Sequence, residues 1–92
     1  MADSPLFSIV MVTLNCADTA IYTSQSVFTQ TWHGYELVVK DGCSTDSTID
    51  RLKEKKHPST KIIVSPDTGI YDAMNQSLVY CSGEYVCFLN AG

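Results

Sequence analysis

The 92-residue sequence is poor in positive charge: 6 Lys and Arg stand against 10 Asp and Glu, a formal net charge of −4. Without a basic stripe it has no means of broad nucleic-acid binding or of attraction to an anionic membrane surface. No apolar run approaches the roughly 18 residues of a membrane span. The opening Met1-Ala2-Asp3-Ser4-Pro5 lacks a positive region leading into an apolar stretch, so no secretory signal is expected. Cys16, Cys43, Cys81 and Cys87 contain no C-x-x-C pair, which speaks against a zinc site. They are expected to be reduced, mostly buried thiols of a cytosolic protein. Gly and Pro are sparse, at 5 and 3, and 45% of the residues are hydrophobic against 17% charged. Disordered and low-complexity classes are therefore excluded. The length suits one small domain, which hides about 60–65% of its unfolded surface.

Common nucleotide and nucleophile signatures are also missing. There is no G-x-G-x-x-G after the first strand, no G-x-x-x-x-G-K-[ST] and no G-x-S-x-G. His33 and His57 stand beside Trp32 and Pro58 and are expected at the surface rather than as ligands or bases.

What is present is an alternation of short β-branched runs with helical patterns. Residues 7–14 (FSIVMVTL) read as a strand buried on both faces. Asp18 or Thr19 can cap a helix carrying Ala20, Ile21, Ser24, Val27 and Phe28 on one face and fading near Thr31. Residues 35–40 (YELVVK) form a second strand running into the turn pair Asp41-Gly42. Ser44, Thr45, Asp46 and Ser47 are cap candidates for a short helix with Ile49 and Leu52 inward, lysines at its end and Pro58 as its stop. Residues 61–64 (KIIV) form a third strand. Ile70, Met74, Leu78 and Cys81 then mark a helix face, with Met74 and Leu78 expected in the core and Gly83 ending the helix. Residues 85–89 (YVCFL) form a fourth strand. The βαβαβαβ order predicts an α/β, Rossmann-like parallel sheet with helices on both faces and right-handed crossovers. Its edge strands would offer unpaired backbone groups, so the sequence reads as the first part of a larger domain or as a chain that completes itself by association.

In such sheets ligands bind beyond the carboxyl ends of the strands, where strand order reverses. The segments there are Thr13-Leu14-Asn15, Asp41-Gly42-Cys43, residues 65–69 and residues 90–92. They are small, polar or turn-forming, which suits a site and also suits plain connection.

Four segments in order, VTLN (12–15), VVKDGCSTDST (38–48), PDTGIYDAMN (66–75) and GEYVCFLNAG (83–92), resemble the N-terminal half of family 2 glycosyltransferases, the inverting GT-A-fold enzymes of bacterial exopolysaccharide and lipopolysaccharide synthesis. The resemblance runs over nearly the whole chain from Phe7. It implies a single domain over residues 1–92 that is the truncated, donor-binding half of a GT-A domain. It also implies that Thr13 and Asn15 lie beside the nucleotide base, and that Asp41 accepts a hydrogen bond from a uracil ring. A carboxylate is acceptor-only and suits the imide N–H; turn chemistry before Gly42 is the competing explanation of Asp41. Asp67 would reach the base or ribose, or else cap the helix, and Gly69 would let the backbone approach the nucleotide. Tyr71 and Asn75 match less specific positions.

The family's D-x-D metal motif falls on Asn90 and Gly92. Neither supplies a carboxylate, and hard divalent cations need oxygen donors, so a Mn²⁺ or Mg²⁺ site expected of the full-length enzyme is weak in these residues. Leu14 stands where many relatives carry an aromatic on the base. No catalytic base can be assigned. The implied activity is transfer of a hexose from a nucleotide sugar, UDP-linked by family habit, to a saccharide or lipid-linked acceptor with inversion, in the cytoplasm or at the inner face of the membrane through partners. The alternative is a non-catalytic nucleotide-binding or structural module derived from that fold. Self-association through exposed edges is expected in either case.

Overall fold

The computed structural model describes residues 5–29, 34–55 and 59–90. His33, His57 and Gly92, on which expectations were placed, lie outside them. Seven elements alternate along the chain: β1 (Phe7–Thr13), α1 (Ala17–Phe28), β2 (Tyr35–Asp41), α2 (Thr48–Lys55), β3 (Thr60–Val64), α3 (Ile70–Leu78) and β4 (Tyr85–Asn90). The strands form one sheet in the order β3-β2-β1-β4 with every pairing parallel. The chain thus winds outward from β1 through β2 to β3, then returns to lay β4 on the other side of β1. That return is the strand-order reversal at which α/β sheets open a crevice.

The period-2 alternation of the strands sorts side chains between the two faces. On one face Met11, Leu37 and Val39 pack with Ala20 and Ile21 of α1 and Leu52 of α2, and Ile9 and Ile62 border the cluster. The inward stripe of α1 is the one its sequence predicts: Ala20, Ile21, Ser24 and Val27 are buried. The other face is met by α3, which packs against β2 and β1. All seven residues of β2 are buried, as a strand flanked on both edges and both faces must be.

Several local expectations are corrected. The N-cap of α1 is Cys16, with no side-chain cap; Asp18 and Thr19 lie inside the helix, and the Thr19 hydroxyl donates back to Cys16 O at 3.1 Å. The buried residues of α3 are Ala73 and Ser77. Leu78 is 46% exposed, and Met74 is half-buried beside Val10, Val12, Phe88 and Leu89. Small side chains let the helix sit close on β1 and β2, and the larger apolar stripe turns toward the thinly covered side near β4. Helix α3 ends at Leu78, five positions before Gly83. Glycine is required at 83 for close approach: a Cβ there would lie 2.6 Å from Ser8 N and 2.7 Å from Phe7 C. None of the cysteines is buried. All four are free; Cys43 and Cys87 are exposed, and Cys16 and Cys81 are half-buried. Cys43 occupies a turn, and Cys87 an edge strand with one neighbour.

Candidate functional site

The carboxyl ends of β1 and β2 are tied together. Thr13 and Asp41 are register partners, and Gly42 N–H donates to Thr13 O at 3.0 Å, one step beyond the ladder. The Asp41 side chain is fully buried. Its Oδ1 accepts from the Thr13 hydroxyl and the Ser44 hydroxyl, each at 2.6 Å, and its Oδ2 accepts from Ser44 N–H at 2.7 Å. A carboxylate has about four acceptor positions, so three are filled from within the protein.

Asn15 joins the loops after β1 and β2. Its backbone has φ of 49°, a left-handed conformation that Asn tolerates better than most residues. Its Oδ1 accepts from Thr45 N–H at 2.8 Å and Asp46 N–H at 3.3 Å, and its own N–H donates to Ser44 Oγ at 2.8 Å. Asp46 in turn accepts from the Thr48 hydroxyl and from Thr48 N–H, bonds that hold its carboxyl below the usual carboxylate range and fasten the start of α2.

The third loop is held by a residue that the sequence reading passed over. Lys40, fully buried at the end of β2, directs its ammonium to Asp41 O at 3.2 Å, Ser65 O at 2.5 Å and Asp67 Oδ2 at 2.9 Å. Asp67 Oδ1 accepts from Gly69 N–H at 3.2 Å, so Asp67 both pairs with Lys40 and turns the chain into α3. Gly69 has φ of 143° and ψ of −176°, backbone open essentially to glycine alone. Asp72, in the first turn of α3, accepts from Thr68 N–H at 2.9 Å and Gln76 Nε2 at 3.0 Å. The signal for Lys40 was available: Glu36 and Lys40, spaced by four in a strand otherwise suited to burial, point to one face.

Glu36 serves the opposite end of the sheet. Its Oε2 accepts from the Ser8 hydroxyl and Ser82 N–H, both at 2.6 Å, and from the Ser82 hydroxyl at 3.0 Å; Lys61 Nζ lies 2.9 Å from Oε1. Burial pushes the Glu36 carboxyl upward, but these donors outweigh it and bring the pKa down to about 2. This cluster fastens the chain before β4 and has no part in the carboxyl-edge site.

A cleft of about 260 Å³ opens at that edge, lined by Val12, Thr13, Leu14, Cys16, Asp67, Gly69 and Ile70. Thr13, Asp67 and Gly69 of the sequence-predicted set therefore share one cavity wall, with Leu14 exposed beside them. Asp41 is bonded to Thr13 of that wall, whereas Asn15 lines a separate, more polar cleft of about 520 Å³ with Cys16, Asp18, Asp46 and Arg51. Asn90 closes β4 opposite Val12, which sets it at the same end of the sheet. Among the described residues no three His, Cys, Asp or Glu gather as a cation site, so the residues present do not fit Mn²⁺ or Mg²⁺ by themselves. Among the described residues no helix is long and apolar enough to cross a membrane.

Comparison with known proteins gives the fold and site a context. The chain is 37% identical over 91 residues to a PGL/p-HBAD biosynthesis glycosyltransferase of Mycobacterium tuberculosis, covering 96% of this chain and 36% of that protein. It is 33% identical over 89 residues to the Escherichia coli UDP-Glc:alpha-D-GlcNAc-diphosphoundecaprenol beta-1,3-glucosyltransferase WfaP, covering 94% and 35%. The chain thus spans about a third of the length of these curated relatives. Staphylococcus aureus TarS 1-349, solved in complex with UDP-GlcNAc, superimposes with a TM-score of 0.85 at 26% identity, over 92% of this chain and 26% of TarS. The Pyrobaculum calidifontis mannosyltransferase PcManGT, solved with GDP-Man and Mn²⁺, shares the fold with a TM-score of 0.87 at 24% identity, over 97% and 28%. The sequence model described as "Glycosyl transferase family 2" matches residues 8–91, and this chain, with part of a GT-A-type α/β domain, belongs to that family of glycosyltransferases.

Proposed function

We propose that this chain is the donor-binding part of a glycosyltransferase that moves a hexose from a nucleotide sugar, UDP-linked, to a saccharide or lipid-linked acceptor with inversion. The observation that carries the reading is that Thr13, Asn15, Asp41, Asp67 and Gly69 all lie at one carboxyl edge of the sheet, where Thr13, Asp67 and Gly69 line a cleft at the strand-order reversal. Asp41 supports recognition of uracil because one acceptor position is left after Thr13 and Ser44 have taken theirs. Its burial means that the imide N–H reaches it when the Ser44 turn opens. Gly69 and the start of α3 leave room for backbone to approach the ribose and phosphates.

PcManGT was solved with Mn²⁺, and by that likeness the whole enzyme uses a divalent cation to stabilise the leaving diphosphate. Among the described residues no three His, Cys, Asp or Glu gather to hold it. The enzyme would work in the cytoplasm, and at the inner face of the membrane through partners where its acceptor is lipid-linked. Exposed Tyr85, Phe88 and Leu89 on the edge strand β4 support self-association there.

Calorimetric titration of UDP, GDP and dTDP, with and without Mn²⁺, tests the reading. UDP should bind tightest, and a hundredfold excess over Kd should add about 2.7 kcal/mol of stability. Absence of heat and of any shift in Tm at millimolar UDP would remove the donor site from this chain.

A further inference from the structure

We propose that Lys40 is a positioning residue of this site: its buried ammonium holds Asp67 against Gly42 and so sets the backbone of residues 65–69 along the cleft. The functional half of this inference rests on the nucleotide reading of that cleft; the structural half does not.

Lys40 is fully enclosed, and an ammonium has three donors, all of them used. One goes to the last residue of β2 and two to the loop after β3. The β2–β3 ladder runs one step past Val64, where Ser65 N–H donates to Asp41 O at 3.0 Å; beyond that step the Lys40 ammonium is what ties the Asp67 side chain back to β2. A buried ammonium is costly unless paired and hydrogen-bonded, so the loop is obliged to keep Ser65 O and Asp67 Oδ2 where they are. The Asp67 side chain is 12% exposed. Its second oxygen holds Gly69 N–H, which transmits the position of Asp67 to the glycine at the mouth of α3.

Gly42 bounds Asp67 from the other side. A Cβ at 42 would lie 3.0 Å from Asp67 Oδ2, and Asp67 has little freedom to retreat because Lys40 grips the same oxygen. Gly42 is therefore needed for space. The pairing has an electrostatic consequence as well. A nucleoside diphosphate brings negative charge to a cleft walled by Asp67, and an unpaired carboxylate there would repel it. Lys40, 2.9 Å from Asp67 Oδ2, supplies the charge that neutralises it.

The test combines backbone amide exchange by NMR with UDP titration on wild type, Lys40→Met, Asp67→Asn and the double variant. In Lys40→Met, exchange at Gly69 should rise about tenfold or more while Val10 and Val38 stay protected. UDP affinity should fall about tenfold, and the double variant should lose no more than the worse single variant, because Lys40 acts through Asp67. A purely architectural Lys40 would lower Tm and leave Gly69 exchange and UDP affinity unchanged, and that result, or additive losses in the double variant, overturns the inference. Should wild type fail to bind UDP, the nucleotide reading falls, and Gly69 exchange alone then decides the role of Lys40. Should Lys40→Met fail to fold, Gly42→Ala crowds Asp67 with Lys40 in place. Faster exchange at Gly69 in that variant supports the lock, and an unchanged rate overturns it.

Discussion

The Thr13 hydroxyl donates to Asp41 Oδ1 at 2.6 Å, between two residues that are direct register partners on adjacent parallel strands. Both side chains are essentially removed from solvent. The pair therefore belongs to the framework of the carboxyl edge: it fixes the rotamer of the carboxylate. Ser44 completes the clasp through its N–H and hydroxyl.

That bonding separates two substitutions. Asp41→Ala strands the buried Thr13 hydroxyl and frees the half-buried Ser44 N–H, and a buried unsatisfied group costs roughly 1–3 kcal/mol, so the variant should lose about 2 kcal/mol of stability. Thr13→Val removes one donor and leaves Asp41 two others, for a loss of about 1 kcal/mol. Asp41 variants should abolish measurable UDP binding, whereas Thr13→Val should retain most of it. Urea unfolding and UDP titration of the same preparations check both halves. Equal UDP affinity in folded Asp41→Asn would reduce Asp41 to turn chemistry.

Glu36 gives the fold an acid limit. Its pKa lies at about 2 in the native state against 4.5 for the ordinary group. A lowered native pKa means that the unfolded chain binds the proton first as pH falls. The contribution of Glu36 is thus complete above about pH 4.5 and is lost progressively toward pH 2; at neutral pH it amounts to roughly 3 kcal/mol. Urea midpoints measured from pH 7 to pH 2 should fall steeply below pH 4.5 in wild type and more gently in Glu36→Gln. Parallel curves would show that the Ser8, Ser82 and Lys61 contacts do not favour the charged form.

The strands were readable to within one residue at each end because β-branched runs bounded by turn residues have few alternative uses. Residues 7–14 became Phe7–Thr13, and residues 85–89 became Tyr85–Asn90. The gathering of Thr13, Asn15, Asp41, Asp67 and Gly69 followed from topology, since every parallel strand delivers its following loop to the same edge. What stayed hidden depended on partners distant in sequence. Lys40 and Asp67 are 27 positions apart, and Glu36 and Ser82 are 46 apart; no local pattern announces such a pair. Helix α3 misled for a different reason. Its large apolar stripe suggested the buried face, but Ala73 and Ser77 are the residues small enough to let the helix rest on the sheet.

Gly83 makes a sterically simple prediction. Its N–H donates to Ser8 Oγ at 2.8 Å, and the atoms that a Cβ would strike include backbone of β1. A central strand paired on both sides cannot shift to make room. Gly83→Ala should therefore cost about 3 kcal/mol, at the upper end of overpacking penalties, and should disturb amide shifts at Phe7 and Ser8 before those at the carboxyl edge. A variant as stable as wild type would mean that the turn before β4 can move away from β1.

Leu14 offers a gain of function. It is 56% exposed and lines the cleft with Thr13, Asp67 and Gly69. If the base lies over this position, Leu14 gives it apolar contact without a ring. Stacking of a base on an aromatic side chain is worth about 1–3 kcal/mol, so Leu14→Tyr should tighten UDP binding by about tenfold. The side chain is on the surface, and stability should change little. UDP must also improve more than inorganic diphosphate, which has no base to stack. Equal improvement for both would place the gain at the phosphates, and no improvement for either would move the base away from Leu14 and out of this cleft.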